Sequence, residues 1–150
     1  MNAPSLTTGR PLSAAATASQ RNTTLESSAE LVGRILLASL FLLSGLSKLG
    51  TYGATAAYMS SAGVPRALLP AVIAVELLGS LAVIVGWKTR VAAALLAGFS
   101  LLAAFLFHNN FADQIQMIMF LKNVSIAGGF LLVVAKGAGA VSLDRRSQRA

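Results

Sequence analysis

Apolar residues along this chain come in four long blocks separated by shorter, more polar segments. Each block holds about 17–25 residues, which as a helix rising 1.5 Å per residue crosses roughly 30 Å of hydrocarbon. None alternates with period two, which disfavours a transmembrane β-barrel, and helices satisfy all their backbone groups without water. The pattern therefore predicts an all-α integral membrane four-helix bundle, with helices over residues 29–49, 67–87, 91–107 and 117–135.

The segments outside these blocks divide the chain into a membrane domain, residues 29–136, and two tails. Residues 1–28 are rich in Ser, Thr and Ala, which predicts a disordered cytoplasmic tail. Residues 137–150 predict a basic cytoplasmic tail. Between the first two blocks, residues 50–66 are mildly apolar and favour a short helix lying in the membrane interface. Residues 108–116 form a polar turn.

The distribution of basic residues predicts how the bundle is oriented. Four crossings place both termini on one side, which carries nine of the twelve Lys and Arg residues. The other side has only Lys48, Arg66 and Lys122. Short cytoplasmic segments are enriched in Lys and Arg, so both termini are expected in the cytoplasm.

Composition narrows the function classes. The chain is 55% hydrophobic and only 11% charged, against about 25% charged for a soluble domain. Its net charge is +7, and the basic residues flank the apolar blocks instead of forming a stripe interleaved with aromatic residues. The expected partner is therefore the lipid bilayer and not nucleic acid. With no cysteine and one histidine, neither thiol redox chemistry nor a protein-built metal site is expected.

Polar groups inside the hydrocarbon are the most informative positions, because a central charge costs about 2.5–3.5 kcal/mol on insertion scales. Glu76 lies near the middle of the second block. Lys122, in the fourth block, differs from it by about four residues of depth, or about 6 Å along the axes. The depths predict a Glu76–Lys122 contact, with Lys48, Asn123 and His108 around it as candidate ligand-binding or proton-relay residues.

Each of these residues also has a purely structural interpretation. A buried Glu–Lys pair can specify which helices meet without doing chemistry, and the two interpretations carry equal weight here. Arg34 and Lys48 favour structural roles, because long basic side chains near helix ends extend to the interface. A single histidine at a helix end, such as His108, is more often a hydrogen-bonding cap than a catalyst.

Several segments together resemble the DoxX family. They are FLLSGLSKLG at 41–50, the helix carrying Glu76, GWKTR at 86–90, FLFHNNF at 105–111, FLKNVSIAGGFLLV at 120–133 and SLDRR at 142–146. The resemblance implies a four-helix bacterial inner-membrane protein, in a family named after a subunit of a membrane thiosulfate:quinone oxidoreductase. The motif positions that carry over are Lys48, Glu76, Lys122 and Asn123, and the resemblance assigns no catalytic role to any of them.

The leading hypothesis is a membrane subunit associated with oxidoreductase or quinone chemistry, with no intrinsic cofactor, with quinone as the candidate ligand and with redox proteins as partners. Whether the chain is itself an enzyme stays open. One alternative is a small proton-coupled transporter, which would require a water path and a homo-oligomer to enclose it. Another is a membrane scaffold that docks partner proteins through its basic ends.

Overall fold

Six α-helices make up the chain in this computed structural model, which describes the backbone of residues 12–147 and the side chains of residues 24–147. They are α1 (Leu12–Gly50), α2 (Tyr52–Ser61), α3 (Leu69–Val85), α4 (Thr89–Phe107), α5 (Gln114–Lys136) and α6 (Leu143–Ser147). Four stretches are long and apolar enough to cross a membrane: Thr24–Gly50, Arg66–Val85, Thr89–Phe107 and Gln114–Lys136. The prediction of an all-α four-helix membrane bundle is confirmed.

The first helix starts much earlier than the sequence pattern suggested. Residues 12–28 were expected to be disordered, yet α1 begins at Leu12 and runs unbroken into the membrane span. Its amino-terminal part contains several alanines and neither proline nor glycine, so it holds no strong helix breaker, although its Ser and Thr residues are weaker helix formers. Residues 1–11 lie outside the described residues, and the expectation of disorder stays a prediction there.

The short interfacial helix expected within residues 50–66 is α2. It ends at Ser61, and Gly63 then adopts φ +76°, a left-handed conformation that glycine tolerates at little cost. On its inner side Met59 packs with Leu69 and Ile73 of α3. This contact folds α2 back over the end of the bundle opposite the termini.

The four spans pack as two pairs, α1 with α3 and α4 with α5, and α3 and α4 share a smaller interface. We call the half of the bundle nearer the chain termini the terminal half, and the other the distal half. A buried core fills the terminal half; its members are Ala38, Phe41, Val83, Ala92, Ala93, Leu96, Ala97, Ala127 and Phe130. Small residues allow close approach here: a Cβ on Gly129 would lie 3.0 Å from the Leu37 side chain.

Arg34 joins three segments of the terminal half. Its side chain is only 2% exposed, and it donates hydrogen bonds to the carbonyl oxygens of Val83 (3.2 Å) and Val141 (2.6 Å). The structural role expected for Arg34 agrees with this geometry: the side chain reaches the terminal end of the bundle, where it is covered by protein. Backbone carbonyls left free near the end of α3 and in the C-terminal segment provide acceptors inside the protein. We call this set of contacts the Arg34 cluster.

The C-terminal segment folds back onto the bundle up to residue 147. The Asp144 carboxylate accepts hydrogen bonds from the backbone N–H groups of Lys88 (2.7 Å) and Thr89 (2.9 Å), where α4 begins. Partial burial by itself would raise the pKa of Asp144, but these amides and the nearby Arg34 charge outweigh it and lower the pKa. An acid from the C-terminal segment thus caps α4, an arrangement that helix N-termini favour.

Candidate functional site

A cavity of about 370 Å³ occupies the distal half, between the α1–α3 pair and the α4–α5 pair, with α2 beside it. Its walls are mainly aliphatic and aromatic: Leu40, Phe41, Met59, Val64, Leu68, Val72, Phe99, Leu102, Leu106 and Phe107. Several of these side chains are also exposed on the membrane-facing surface, among them Leu40, Leu68, Leu102 and Leu106. The cavity therefore lies within reach of the lipid phase. We call it the Glu76 cavity.

Glu76 forms the polar centre of this cavity and is only 3% exposed. Its Oε1 accepts hydrogen bonds from Lys48 Nζ at 2.9 Å and from Ser44 Oγ at 3.1 Å. Lys48 Nζ also donates to Ser44 Oγ at 2.6 Å, which completes a three-membered cluster. Within the described part of the chain, the buried Oε2 of Glu76 has no hydrogen-bond partner. One carboxylate oxygen thus holds the cluster together, while the other is buried without a hydrogen-bond partner among the described residues.

The local sequence explains why the cluster forms. Ser44 and Lys48 are four residues apart on α1 and so share one helix face. Gly45 lies next to Ser44 and faces α3, where an added Cβ would lie 2.8 Å from Leu77 Cδ2 and 3.3 Å from Glu76 Cβ. A larger residue at position 45 would push α3 away. Glycine here lets the two helices approach closely enough for Glu76 to reach Lys48.

The predicted Glu76–Lys122 contact is wrong, since the ion pair of Glu76 is with Lys48. Lys122 is exposed, and its Nζ lies 3.2 Å from Met119 Sδ. Matching the depth of the two residues compares how far along the bundle they lie, but it does not show which helices are neighbours. Helix α3 packs mainly on α1, and α5 packs mainly on α4, so the two residues lie on different helix pairs. Lys122 nevertheless lines the same cavity as Glu76.

The other two candidate residues also line the cavity, and each is held by hydrogen bonds. Asn123 Oδ1 accepts from Ser100 Oγ at 3.2 Å, which ties α5 to α4. His108 Nδ1 lies 2.8 Å from Gln116 Oε1 and so bridges the turn between the same helices. The structure thus brings all five candidates, Glu76, Lys48, Lys122, Asn123 and His108, to one cavity.

Two contributors to the cavity were missed from the sequence. Ser44 could have been found, because it precedes Lys48 by four residues on the same helix face. Tyr58 of α2 stacks on Phe107 of α4, with ring centroids 5.4 Å apart, and both side chains line the cavity. Nothing in the sequence pattern indicates where α2 folds relative to α4, so Tyr58 had no comparable signal.

The arrangement suits an amphiphilic ligand. The Lys48 ammonium group is a hydrogen-bond donor, and the free Glu76 oxygen is an acceptor. Both residues line a mostly apolar cavity, a combination typical of small-molecule sites. Among the described residues, no group of three or more His, Cys, Asp or Glu side chains is placed to hold a metal ion.

Comparison with known proteins places the chain among its relatives. The model of the DoxX family matches residues 29–109. The inner membrane protein YqjF of Escherichia coli K12 is 49% identical over 121 residues, which cover 81% of this chain and 93% of that protein. The inner membrane protein YphA of the same organism is 39% identical over 123 residues, covering 77% and 88% respectively. No solved structure gives a significant match. This chain is a multi-pass inner-membrane protein, and it belongs to the DoxX family.

Proposed function

We propose that this chain is a membrane subunit that binds a quinone headgroup in the Glu76 cavity and serves a partner oxidoreductase. The observation that carries the proposal is the buried Glu76 carboxylate, which has one oxygen paired with Lys48 and the other unpartnered within the described residues, beside an apolar cavity. A buried acceptor without a partner costs about 1–3 kcal/mol. A ligand hydroxyl would satisfy it.

Size and polarity of the cavity support a headgroup of this class. Its volume of about 370 Å³ lies within the usual range for small-molecule sites, roughly 300–1,000 Å³. A quinone has a flat ring with polar oxygens and a long apolar tail. The ring would contact Phe41, Phe99 and Tyr58, and the tail would extend past Leu102 and Leu106 toward lipid.

The polar residues would orient such a ring and handle its protons. A bound quinone supplies two-electron, two-proton redox chemistry. Lys48 would donate a hydrogen bond to a ring carbonyl, and Glu76 would accept one from a ring hydroxyl. Since the chain has no cysteine, any thiol relay would belong to the partner protein. His108 and Lys122, which also line the cavity, add ionisable groups for proton exchange.

The packed core next to the cavity favours a ligand site over a transport path. Phe41, Leu96 and Phe130 are buried in the core of the terminal half, and Phe41 also lines the cavity wall. The Phe41 ring packs edge-to-face on Phe130 at 5.5 Å. A proton-coupled transporter would have to open this packed core in every cycle.

The test begins with gentle purification from native membranes. Quinones and proteins that co-purify are quantified by mass spectrometry for the wild type, Glu76→Gln and Glu26→Gln. Glu26 is an exposed glutamate on α1 outside the cavity, so it provides the same substitution at a control position. The wild type and Glu26→Gln are expected to carry quinone and a redox protein, and Glu76→Gln to lose most of the quinone.

The same proteins are then titrated with decylubiquinone in lipid nanodiscs. We expect the Kd to rise at least tenfold in Glu76→Gln and to stay within twofold in Glu26→Gln. Equal binding by all three proteins would contradict the proposal. Absence of quinone binding together with solute uptake driven by a pH gradient in proteoliposomes would favour the transporter instead. Partner capture that is lost on deleting residues 137–150, but not in Glu76→Gln, would favour the scaffold.

A further inference from the structure

We propose that a second site, at the terminal end of the bundle, binds the phosphate headgroup of an anionic phospholipid. The site is a cleft of about 730 Å³ between the start of α4, the end of α5 and the segment that contains α6. Four basic side chains line it: Lys88, Arg90, Lys136 and Arg145. We call it the basic cleft. It lies at the opposite end of the spans from the Glu76 cavity and does not depend on the function proposed there.

The charge of the basic cleft is not neutralised from within. Asp144 is the one acid among its lining residues, and its two oxygens already accept from the backbone amides of Lys88 and Thr89. Within residues 24–147, no ion pair involves any of the four basic side chains. Glu26 and Glu30 line a neighbouring groove that shares Lys136 and Gly137 with the cleft, and the Glu30 carboxylate lies against Gly139 at the edge of the cleft, so two acids face four basic side chains. The cleft therefore retains excess positive charge, which suits a phosphate.

One of these cations lies close to the backbone of the turn after α5. Gly137, which follows α5, has φ +86°, and an added Cβ there would lie 3.3 Å from Arg90 Nε. The Arg90 guanidinium thus rests against the turn after α5, although its formal charge has no acidic partner in the described chain. Its planar guanidinium can bind a phosphate in bidentate fashion.

The position of the cleft favours a lipid over a free anion. It lies where α3 and α4 meet and where α5 ends, so it is at the level of the membrane–water interface. Trp87 on its rim is 55% exposed, as suits a residue of the interfacial aromatic belt. From the cleft, Val91 and Leu95 continue along one face of α4, 61% and 58% exposed. These residues provide an apolar path for an acyl chain directly below the basic groups.

The test is a titration of the purified full-length protein in detergent with phosphatidylglycerol, phosphatidylcholine, glycerol 3-phosphate and inorganic phosphate, followed by native mass spectrometry. Arg90→Gln/Lys136→Gln is compared with Arg66→Gln/Arg146→Gln, which removes the same charge from residues outside the cleft. A charge-preserving variant, Arg90→Lys/Lys136→Arg, shows whether folding or charge is responsible.

We expect the wild type to bind phosphatidylglycerol at least tenfold more tightly than phosphatidylcholine and than either soluble phosphate. The cleft variant should lose about tenfold in affinity for phosphatidylglycerol, the control variant should stay within twofold, and the charge-preserving variant should keep most of the binding. Equal losses in the cleft and control variants would overturn the proposal, since general charge would then explain the binding. Equal affinity for soluble phosphate and phosphatidylglycerol would overturn the lipid assignment.

Discussion

Arg34 and Glu76 are two buried charged residues in opposite halves of one bundle, 2% and 3% exposed. Arg34 donates to the backbone carbonyls of Val83 and Val141, so it joins α1 to α3 and to the C-terminal segment. Glu76 pairs with the side chains of Lys48 and Ser44 beside a cavity. The first links parts of the backbone, and the second links side chains that face an open space.

This difference shows that burial by itself does not identify a functional charge. Each residue even keeps one buried atom without a partner among the described residues, Arg34 Nε and Glu76 Oε2. The distinguishing feature is the surroundings. The Arg34 cluster consists of backbone carbonyls whose loss would loosen the fold, whereas the Glu76 cavity collects five candidate polar side chains around apolar walls. We therefore assign a role in stability to Arg34 and a role in ligand binding to Glu76.

The largest effect is expected from Arg34→Met. The Val83 and Val141 carbonyls would lose a charged donor, and each such bond contributes about 1.5–3 kcal/mol. We expect the free energy of unfolding to fall by about 3 kcal/mol, measured by denaturation in detergent micelles with circular dichroism. Quinone affinity of the folded fraction should not change. Unchanged stability would show that the Arg34 cluster is not the structural counterpart of Glu76.

Asp144→Asn should have the next largest effect, because it weakens the cap of α4 next to the Arg34 cluster. Asparagine keeps one acceptor oxygen but loses the second acceptor and the negative charge, and a hydrogen bond to a charged group contributes about 1.5–3 kcal/mol. Since Asp144 is only partly buried, we expect a loss of about 1–2 kcal/mol. The effect should depend on pH in a defined direction. Because the pKa of Asp144 is lowered in the folded protein, its stabilisation is complete above the ordinary value of 3.8 and is lost as the pH falls through the lowered pKa.

The check is a comparison of unfolding free energies for the wild type and Asp144→Asn between neutral and strongly acidic pH. The two curves should differ at pH 7 and converge as Asp144 becomes protonated. A constant difference over the whole range would mean that the carboxylate charge is not what stabilises the start of α4.

Glu76→Gln should have the opposite effect to Arg34→Met: it should lower ligand affinity more than stability. A glutamine side chain still accepts from Lys48 and Ser44, so the free energy of unfolding should change by about 1 kcal/mol or less. Quinone affinity should fall about tenfold, which corresponds to about 1.4 kcal/mol. Melting and binding are measured on the same preparation. A large loss of stability without a change in affinity would place Glu76 beside Arg34 as a structural residue.

The smallest effect is expected from Lys122→Met. Its ammonium group is exposed and has Met119 Sδ as its hydrogen-bond partner, so stability should change by no more than about 0.5 kcal/mol. Lys48→Met removes the ion-pair partner of Glu76 and should weaken quinone binding far more. Binding titrations of the two variants side by side test this order. The reverse order would indicate that Lys122 contributes more to quinone binding than Lys48 does.

The parts of this fold that hydropathy controls could be predicted from the sequence. Span length and helical periodicity are set by the bilayer and by the helix, so the four crossings were predictable. For the same reason Arg34, Ala38, Phe41, Gly45 and Lys48 could be assigned to one inward face of α1; the first four are buried and Lys48 is partly buried. The position of Glu76 near the middle of α3 followed from the same count.

Lateral arrangement could not be predicted in this way. Depth matching assigned Glu76 to Lys122, but which helices are neighbours depends on close contacts such as the one that Gly45 allows with α3. Tyr58 and Phe107, which stack on each other, are 49 positions apart in the sequence. Asp144 is at least 55 positions from the amides that it caps at the start of α4. Such contacts depend on tertiary packing, and no local pattern indicates them.

The contrast between Glu76 and Arg34 is best measured by titrating decylubiquinone into nanodiscs that contain wild type, Glu76→Gln or Arg34→Lys, with melting recorded on the same samples. We expect Glu76→Gln to lose about tenfold in affinity at a nearly unchanged melting temperature. Arg34→Lys should melt earlier and bind as the wild type does. Affinity that falls in step with stability in both variants, or wild-type binding by Glu76→Gln, would contradict this contrast.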